Sequence, residues 1–174
     1  GSRARHWEIR ELEMKPSQGP LGVVPGMNGG AEIIGWHRDS IAITARIQVN
    51  ARTQDDAEAI AREIKIEAAG GAVRVTGARS SSGRHQNWGV TFIVMVPRKT
   101  DLTLSTENGP LAVSDVTGTM YLETHNGPLS LSGVGGDVHA VSRATITISS
   151  ATRAIRDSSR IMAKAFLNPA NLKP

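Results

Sequence analysis

Four residues in the second half of the chain could together perform acid–base chemistry or bind a ligand: Glu123, His125, Asp137 and His139. Imidazole and carboxylate groups are the usual proton carriers and metal ligands of proteins. The chain has no His-Glu-x-x-His motif, and its five histidines show no other metal-type spacing. We therefore expect these four residues to be exposed polar side chains on an outer face. Ligand binding is their candidate role, and no metal site is expected.

Two tryptophans, Trp36 and Trp88, are candidates for stacking on a sugar ring, although a strand tryptophan more often packs against a core. The chain has no cysteine, which excludes disulfides, thiolate metal sites and cysteine nucleophiles. It also lacks a Gly-x-Ser-x-Gly elbow and any glycine-rich loop followed by Lys-Ser or Lys-Thr. The sequence thus predicts no catalytic residue and no cofactor.

A repeated turn identifies the elements that must position these side chains. The turn residues are Asn108, Gly109 and Pro110 in the first copy and Asn126, Gly127 and Pro128 in the second. The step is 18 residues (126 − 108), and the same step takes Leu102 to Met120 and then to Val138. Each 18-residue unit therefore holds two short alternating strands and two turns.

Two architectures fit such a unit. In an antiparallel meander, Asn-Gly would form a two-residue hairpin, which the residue after glycine normally closes with its N–H; Pro110 and Pro128 have none. In a parallel β-solenoid, each unit stacks on the last, the proline can begin a strand, and stacked asparagines can hydrogen-bond. The solenoid is the preferred interpretation.

The first hundred residues predict longer strands and one helix. Residues 41–49 alternate apolar and polar types, as in a half-buried strand, and residues 71–78 and 88–97 are also expected to be strands. Thr53 is a suitable N-cap for a helix over about 53–66, since acidic residues follow it in the first turn.

The end of the chain differs in charge and pattern. Residues 141–174 carry six basic groups and one acidic group, a net charge of +5, whereas the rest carries 14 basic and 15 acidic groups. The main part of the chain is therefore not expected to present a basic surface that binds nucleic acid. Residues 145–148 alternate like a strand, and residues 151–166 predict an amphipathic helix that caps the open solenoid end. A helix on anionic lipid and a disordered tail are the alternatives.

Residues 28–140 resemble the bacterial family known as "putative adhesins", whose members carry Asn-Gly-containing strand repeats. The Val96-Pro97-Arg98 junction, Leu102 and the two Asn-Gly-Pro-Leu units carry the resemblance. It implies a β-solenoid or β-roll domain that is exported to, or tethered at, the cell envelope and brings no catalytic residue set. The chain departs from the family pattern after Ala140, where further Asn-Gly repeats would be expected.

The predicted fold is mainly β: a short-coil parallel β-solenoid or β-roll with one inserted α-helix at about 53–66 and a C-terminal capping helix. The expected repeat domain covers residues 3–140, with longer strands and the helix in 3–100 and regular repeats in 101–140. Residues 141–174 would form the atypical cap.

The expected function is a non-enzymatic binding or scaffold module of the bacterial envelope, outside the cytoplasm. Its partner would be a cell-surface glycan or an envelope protein rather than nucleic acid, with membrane contact through 151–166 also open. Gly1-Ser2 resembles a cloning scar, so we expect a leader or anchor to have preceded residue 3.

Two other functions remain open at this point. A polysaccharide-acting β-helix enzyme would use carboxylates such as Asp115, Glu123 and Asp137, which fall at different phases of the repeat. An envelope-sensing regulatory domain would dock on the membrane through the C-terminal helix.

Overall fold

The structure is a computed structural model and describes residues 4–77, 87–149, 160–165 and 172–173. The first half contains β1 (Ala4–Met14), β2 (Leu21–Val24), β3 (Gly30–Trp36), β4 (Ile41–Ala51), α1 (Gln54–Glu63), β5 (Lys65–Ala69), β6 (Ala72–Thr76) and β7 (Asn87–Pro97). The second half contains β8 (Leu102–Thr106), β9 (Leu111–Ser114), β10 (Met120–Thr124), β11 (Leu129–Ser132), β12 (Asp137–Ser142), β13 (Ile146–Ile148), β14 (Arg160–Ala165) and β15 (Leu172–Lys173). The prediction of a mainly β chain is confirmed.

The strands form two mixed sheets with the core between them. The first sheet has the order β1-β4-β7-β3-β9-β11-β13-β15, and the second has the order β14-β12-β10-β8-β2-β6-β5. The long pairs β1–β4 and β4–β7 are antiparallel, as is β5–β6, whereas all other pairs are parallel. The core is aliphatic, and Phe92 is its one fully buried aromatic side chain among the described residues.

The pairing expected from the 18-residue step is present in both sheets. In the second sheet, Met120 lies opposite Leu102 on one side and Val138 on the other. In the first sheet, Leu129 lies opposite Leu111. Each unit therefore contributes one strand to each sheet, and the antiparallel meander is excluded because equivalent strands run in the same direction.

A further unit, which the sequence did not reveal, precedes the repeat. Strand β2 pairs in parallel with β8, and β3 pairs in parallel with β9. Asn28 takes the position of Asn108 in this earlier unit, because the Asn108 side-chain amide donates to Asn28 Oδ1 at 3.1 Å. The two asparagines are 80 residues apart (108 − 28), since β4, α1, β5, β6 and β7 are inserted between the units.

The predicted helix is confirmed and is three residues shorter at its C-terminal end. Thr53 is its N-cap, and the Thr53 hydroxyl accepts a hydrogen bond from the backbone N–H of Asp56 at 3.0 Å. Ala57 and Ala61 are buried where α1 packs against β1 and β4. The Arg10 guanidinium on β1 donates to the carbonyls of Ala61 and Ile64, which satisfies acceptors left open at the helix end.

The predicted capping helix over 151–166 is wrong where the structure describes it. Residues 160–165 form β14, which pairs in parallel with β12, and β15 pairs in parallel with β13. An open edge of β12 would leave a row of backbone donors and acceptors unpaired, and another strand satisfies them more completely than a helix laid across it. Residues 151–159 lie outside the described part. The strand expected at 145–148 is present as β13.

Candidate functional site

The outer face of the second sheet carries a stacked aromatic pair. Tyr121 on β10 lies directly opposite His139 on β12, as the 18-residue step predicts. Their ring centroids are 4.9 Å apart and their planes differ by 9°. Tyr121 is 54% exposed, so its ring is available to solvent although one of its faces is covered by the imidazole.

The other face of the Tyr121 ring is turned toward β8, where the neighbouring side chains are short. Thr103 lies opposite Tyr121, Gly22 lies opposite Thr103, and Ala72 lies opposite Gly22. Adjacent strands are about 4.8 Å apart, so only short side chains lie beside this face of the ring along the row. We call this surface the Tyr121 slot and define it by Tyr121 as its wall and Thr103, Gly22 and Ala72 as its floor.

Polar groups flank the slot in the neighbouring rows. Glu123 is exposed two residues beyond Tyr121 on the same outer face, and Ser105 lies opposite Glu123 on β8. On the other flank, the Asp101 carboxylate accepts a hydrogen bond from the backbone N–H of Thr119 at 2.8 Å. An aromatic wall with a few polar groups beside it is the usual composition of a small-molecule binding surface.

The four polar residues predicted to cluster do not converge on one point. His139 is opposite Tyr121 and Glu123 is opposite Val141, so these two are diagonal neighbours. Asp137 begins β12, whereas His125 follows the opposite end of β10, where its carbonyl accepts from the Arg143 N–H. Across the described residues, no group of three or more histidine, aspartate or glutamate side chains could hold a metal ion. Of the four, only Glu123 borders the Tyr121 slot, and His139 lies behind its wall, on the β12 side of the Tyr121 ring.

Trp36 has a structural role at the end of β3. Its indole N–H donates to the carbonyl of Ser40 at 2.8 Å, which holds the turn between β3 and β4. The Arg38 guanidinium lies 5.2 Å from the ring centroid, over a ring face that a sugar would otherwise use. The ring is half-buried, and its surroundings favour turn stabilisation over ligand contact.

Trp88 lies on β7 and packs against the edge of the core. Gly77 is next to it, because a methyl group on Gly77 would come within 2.6 Å of the indole ring. The half-buried ring therefore covers backbone of the strand connection that follows β6.

Residues at and beside the repeated turns form three columns across the units: one of hydrogen-bonded asparagines, one of glycines in close backbone contact, and one of hydrogen-bonded hydroxyls. The Asn126 side-chain amide donates to Asn108 Oδ1 at 2.7 Å, as the stacked interpretation predicts, and Asn108 donates onward to Asn28. The glycines that follow these asparagines form the second column. A methyl group on Gly109 would overlap the carbonyl oxygen of Gly29. These glycines are required by close backbone contact between units.

The third column consists of buried hydroxyls, which the sequence analysis did not single out. Each one donates to a turn carbonyl of the preceding unit, at 2.6 Å for Thr106 to Gly29 and 2.8 Å for Thr124 to Gly109. Ser142 continues the column onto the Gly127 carbonyl at 2.8 Å. The turn residues are thus engaged in joining units, and the outer faces remain for function.

A separate cleft of about 420 Å³ opens where the β1–β2 connection meets the corner before β8. Small or apolar residues make up most of its lining, which consists of Pro16, Ser17, Gly19, Leu21, Ile41, Lys99, Thr100, Asp101, Thr117 and Gly118. Lys99 and Asp101 are its charged residues.

Tyr121 is the candidate residue that the sequence analysis did not single out. It is the single tyrosine of the chain and lies 18 residues before His139, in an outward position of the repeat. Such an outward aromatic residue could have been recognised from the sequence, because the outward positions 18 residues earlier, at Thr103 and Ser105, are small and nothing in the core requires a tyrosine.

A scan against protein-family models and a search of curated proteins gave no match. Similar solved structures include a "putative cell adhesion protein" from Clostridium sporogenes, 15% identical, with a TM-score of 0.44 over 83% of this chain and 73% of that chain. They also include a "putative lipid binding protein" from Parabacteroides distasonis, 11% identical, with a TM-score of 0.40 over 91% of this chain and 60% of that chain. A "putative adhesin" from the same organism is 6% identical, with a TM-score of 0.39 over 82% and 65%. At these similarities, function is argued from the residues of this chain.

Proposed function

We propose that the protein is a non-enzymatic binding module of the bacterial cell envelope and that its ligand is a cell-surface glycan held in the Tyr121 slot. One observation carries the proposal: an exposed Tyr121 ring, fixed on one face by His139, presents its other face to a floor of short residues.

The chemistry of the slot suits a sugar ring. A pyranose has an apolar C–H face that packs against an aromatic ring and a rim of hydroxyl groups that seek hydrogen bonds. Glu123 and Ser105 lie along one side of the slot and supply such partners, while Thr103 and Gly22 leave the floor open. Because Tyr121 is held by His139, little side-chain entropy is lost on binding.

The architecture proposed for this module is a short two-sheet β-solenoid built on a base of longer strands. In-register parallel strands in both sheets and the asparagine column support it. The repeat domain would cover residues 3–140, and the family of "putative adhesins" is the one whose pattern the chain resembles. That resemblance also supports a location outside the cytoplasm.

Neither alternative function is favoured by a specific contact. The helix required for membrane docking is a strand over residues 160–165. The α1 helix has ten residues, and no helix in the described part is long and apolar enough to cross a membrane. Of the carboxylates suited to a hydrolase, Asp115 lies at the corner after β9 while Glu123 and Asp137 lie on separate strands of the other sheet.

A glycan array probed with the purified chain tests the proposal. We expect a subset of glycans to be retained, Tyr121→Ala to abolish retention, and Tyr121→Phe to preserve most of it because the ring remains. Thr103→Gln should also abolish retention by filling the slot, whereas Ser130→Gln, on the outer face of the first sheet, is the matched control and should bind normally.

Equal binding by the wild type and by Thr103→Gln would contradict the site. Release of new reducing ends from a retained glycan, lost in Glu123→Gln, would show that the module is an enzyme.

A further inference from the structure

Strand β1 forms one edge of the first sheet, and its outer side is not paired with another strand of the described chain. It has eleven residues, all paired with β4 in an unbroken register from Ala4–Ala51 to Met14–Ile41. It contains no proline, no lysine and no bulge, which are common devices that prevent one edge strand from pairing with another. Within the described residues, no backbone hydrogen bond reaches its far side.

The outer face of this edge carries two large apolar side chains in solvent. Trp7 is 58% exposed and Ile9 is 65% exposed, at the middle of the strand. Arg5 lies before them and Glu11 and Glu13 lie after them on the same face. The face is therefore apolar at its centre and oppositely charged at its two ends.

We propose that two copies of the chain associate through antiparallel pairing of their β1 strands about a twofold axis at Ile9. In that register, Ile9 lies opposite Ile9 of the second copy, Trp7 lies opposite Glu11, and Arg5 lies opposite Glu13. Each Trp7 is then a diagonal neighbour of the Ile9 of the other copy, within reach of a large aromatic side chain. The four apolar side chains form one cluster with an ion pair at each end.

The inward face of β1 selects this register. Glu8 and Arg10 are half-buried on that face, and inward charges ordinarily oppose the addition of a strand. With Ile9 on the axis, each Glu8 lies opposite Arg10 of the second copy, so the charges are complementary. A slip by two residues in one direction would place Glu8 opposite Glu8, and a slip in the other would place Arg10 opposite Arg10.

The pairing is isologous and therefore closes at two copies. It joins the two first sheets into one continuous sheet and removes the exposed edge. Because a single pair of edge strands buries less surface than a permanent interface, we expect a concentration-dependent dimer with a dissociation constant on the order of 10⁻⁵ M.

Sedimentation equilibrium of the purified chain at several concentrations measures the association. We expect wild-type chain to shift from monomer to dimer, and Ile9→Asp to remain monomeric, since it places two carboxylates on the axis. Arg5→Glu and Glu13→Arg should each weaken the dimer roughly tenfold or more, because each sets like charges opposite one another. The double variant Arg5→Glu with Glu13→Arg should recover most of the affinity.

Met27→Lys is the matched control, because Met27 is 69% exposed and lies outside β1. It should dimerise like wild type. A wild-type chain that stays monomeric at every concentration would overturn the proposal. A dimer that survives Ile9→Asp, or that the charge-swapped double variant does not restore, would also overturn it. Unchanged thermal unfolding in each variant separates loss of pairing from loss of folding, and glycan retention is scored independently.

Discussion

The two ends of the molecule are stabilised by different means. In the parallel part, from β8 to β13, side chains at equivalent positions bond from one unit to the next, as Asn126 does with Asn108 and as Ser142 does with the Gly127 carbonyl. In the long-strand part, β1, β4, β7 and α1 are joined by contacts that occur once, such as the Arg10 guanidinium on the end of α1.

A substitution therefore has different consequences for stability in the two parts. An interior column residue such as Asn108 or Gly109 contacts the units on both sides, so a change there disturbs two interfaces between units. A residue of the long-strand part makes contacts that occur only once in the molecule, so the effect of replacing it is local. The stability of the parallel part is therefore the more sensitive to changes in its small polar and glycine residues.

The largest expected effect comes from Gly109→Ala. The added methyl group would overlap the Gly29 carbonyl, and backbone cannot move aside cheaply. We expect a loss of about 3 kcal/mol or more in the free energy of unfolding, measured by urea titration.

Gly26→Ala is the control for glycine itself. Gly26 has a φ of +95° and nothing within 4 Å of an added methyl group, so only backbone strain remains. A loss of about 1 to 2 kcal/mol is expected there. Equal losses at both positions would show that contact between units contributes little.

A smaller effect is expected from Thr124→Val. The Thr124 hydroxyl donates to the Gly109 carbonyl at 2.8 Å and accepts from the Gly127 N–H at 3.1 Å, so its removal leaves two buried backbone groups unpaired. We expect a loss of about 2 kcal/mol in the free energy of unfolding. The same substitution at exposed Thr103 should change it by about 0.5 kcal/mol or less. If the two variants were equally stable, the hydroxyl column would be incidental.

The smallest expected effect concerns Glu8 in the long-strand part, and it depends on pH. Hydrogen bonds from His6 and then from Arg10 hold the pKa of Glu8 below its ordinary value of 4.5. The folded state therefore gains stability from ionised Glu8 above pH 4.5 and loses it as the pH falls through the lowered folded pKa.

Unfolding at a series of pH values, with the chain kept monomeric by dilution, measures this contribution. Glu8→Gln should be less stable than wild type near neutral pH, and the difference should shrink below pH 4.5. Glu67→Gln on β5 serves as the control variant. A gap between wild type and Glu8→Gln that stays constant down to strongly acidic pH would refute the role of Glu8.

Features set by short-range sequence patterns could be predicted from the sequence. The 18-residue step was visible because Asn126-Gly127-Pro128 copies its predecessor, and the parallel pairing followed from the missing proline N–H. Thr53 identified the helix because capping is a local interaction.

Features set by distant contacts escaped prediction. Asn28 could not be recognised as a member of the column because 80 residues separate it from Asn108 and its unit shares only Asn-Gly with the others. The apolar residues of 160–165 fit both the alternation of a strand and one face of a helix. Pairing with the open edge of β12 favours the strand, and that edge is not visible in the local sequence. The Tyr121 slot depends on Gly22 of that same distant unit, so its floor was also hidden.

The insertion between β3 and β8 has a kinetic consequence. Closing an 80-residue loop costs about 1.3 kcal/mol more in chain entropy than closing an 18-residue one. We therefore expect the units from β8 to β13 to pair with one another early, and the first unit to join them later, when β4, α1 and β7 have brought β3 into position. The slot takes its wall from the repeat and part of its floor from that first unit, so we expect it to be completed late in folding.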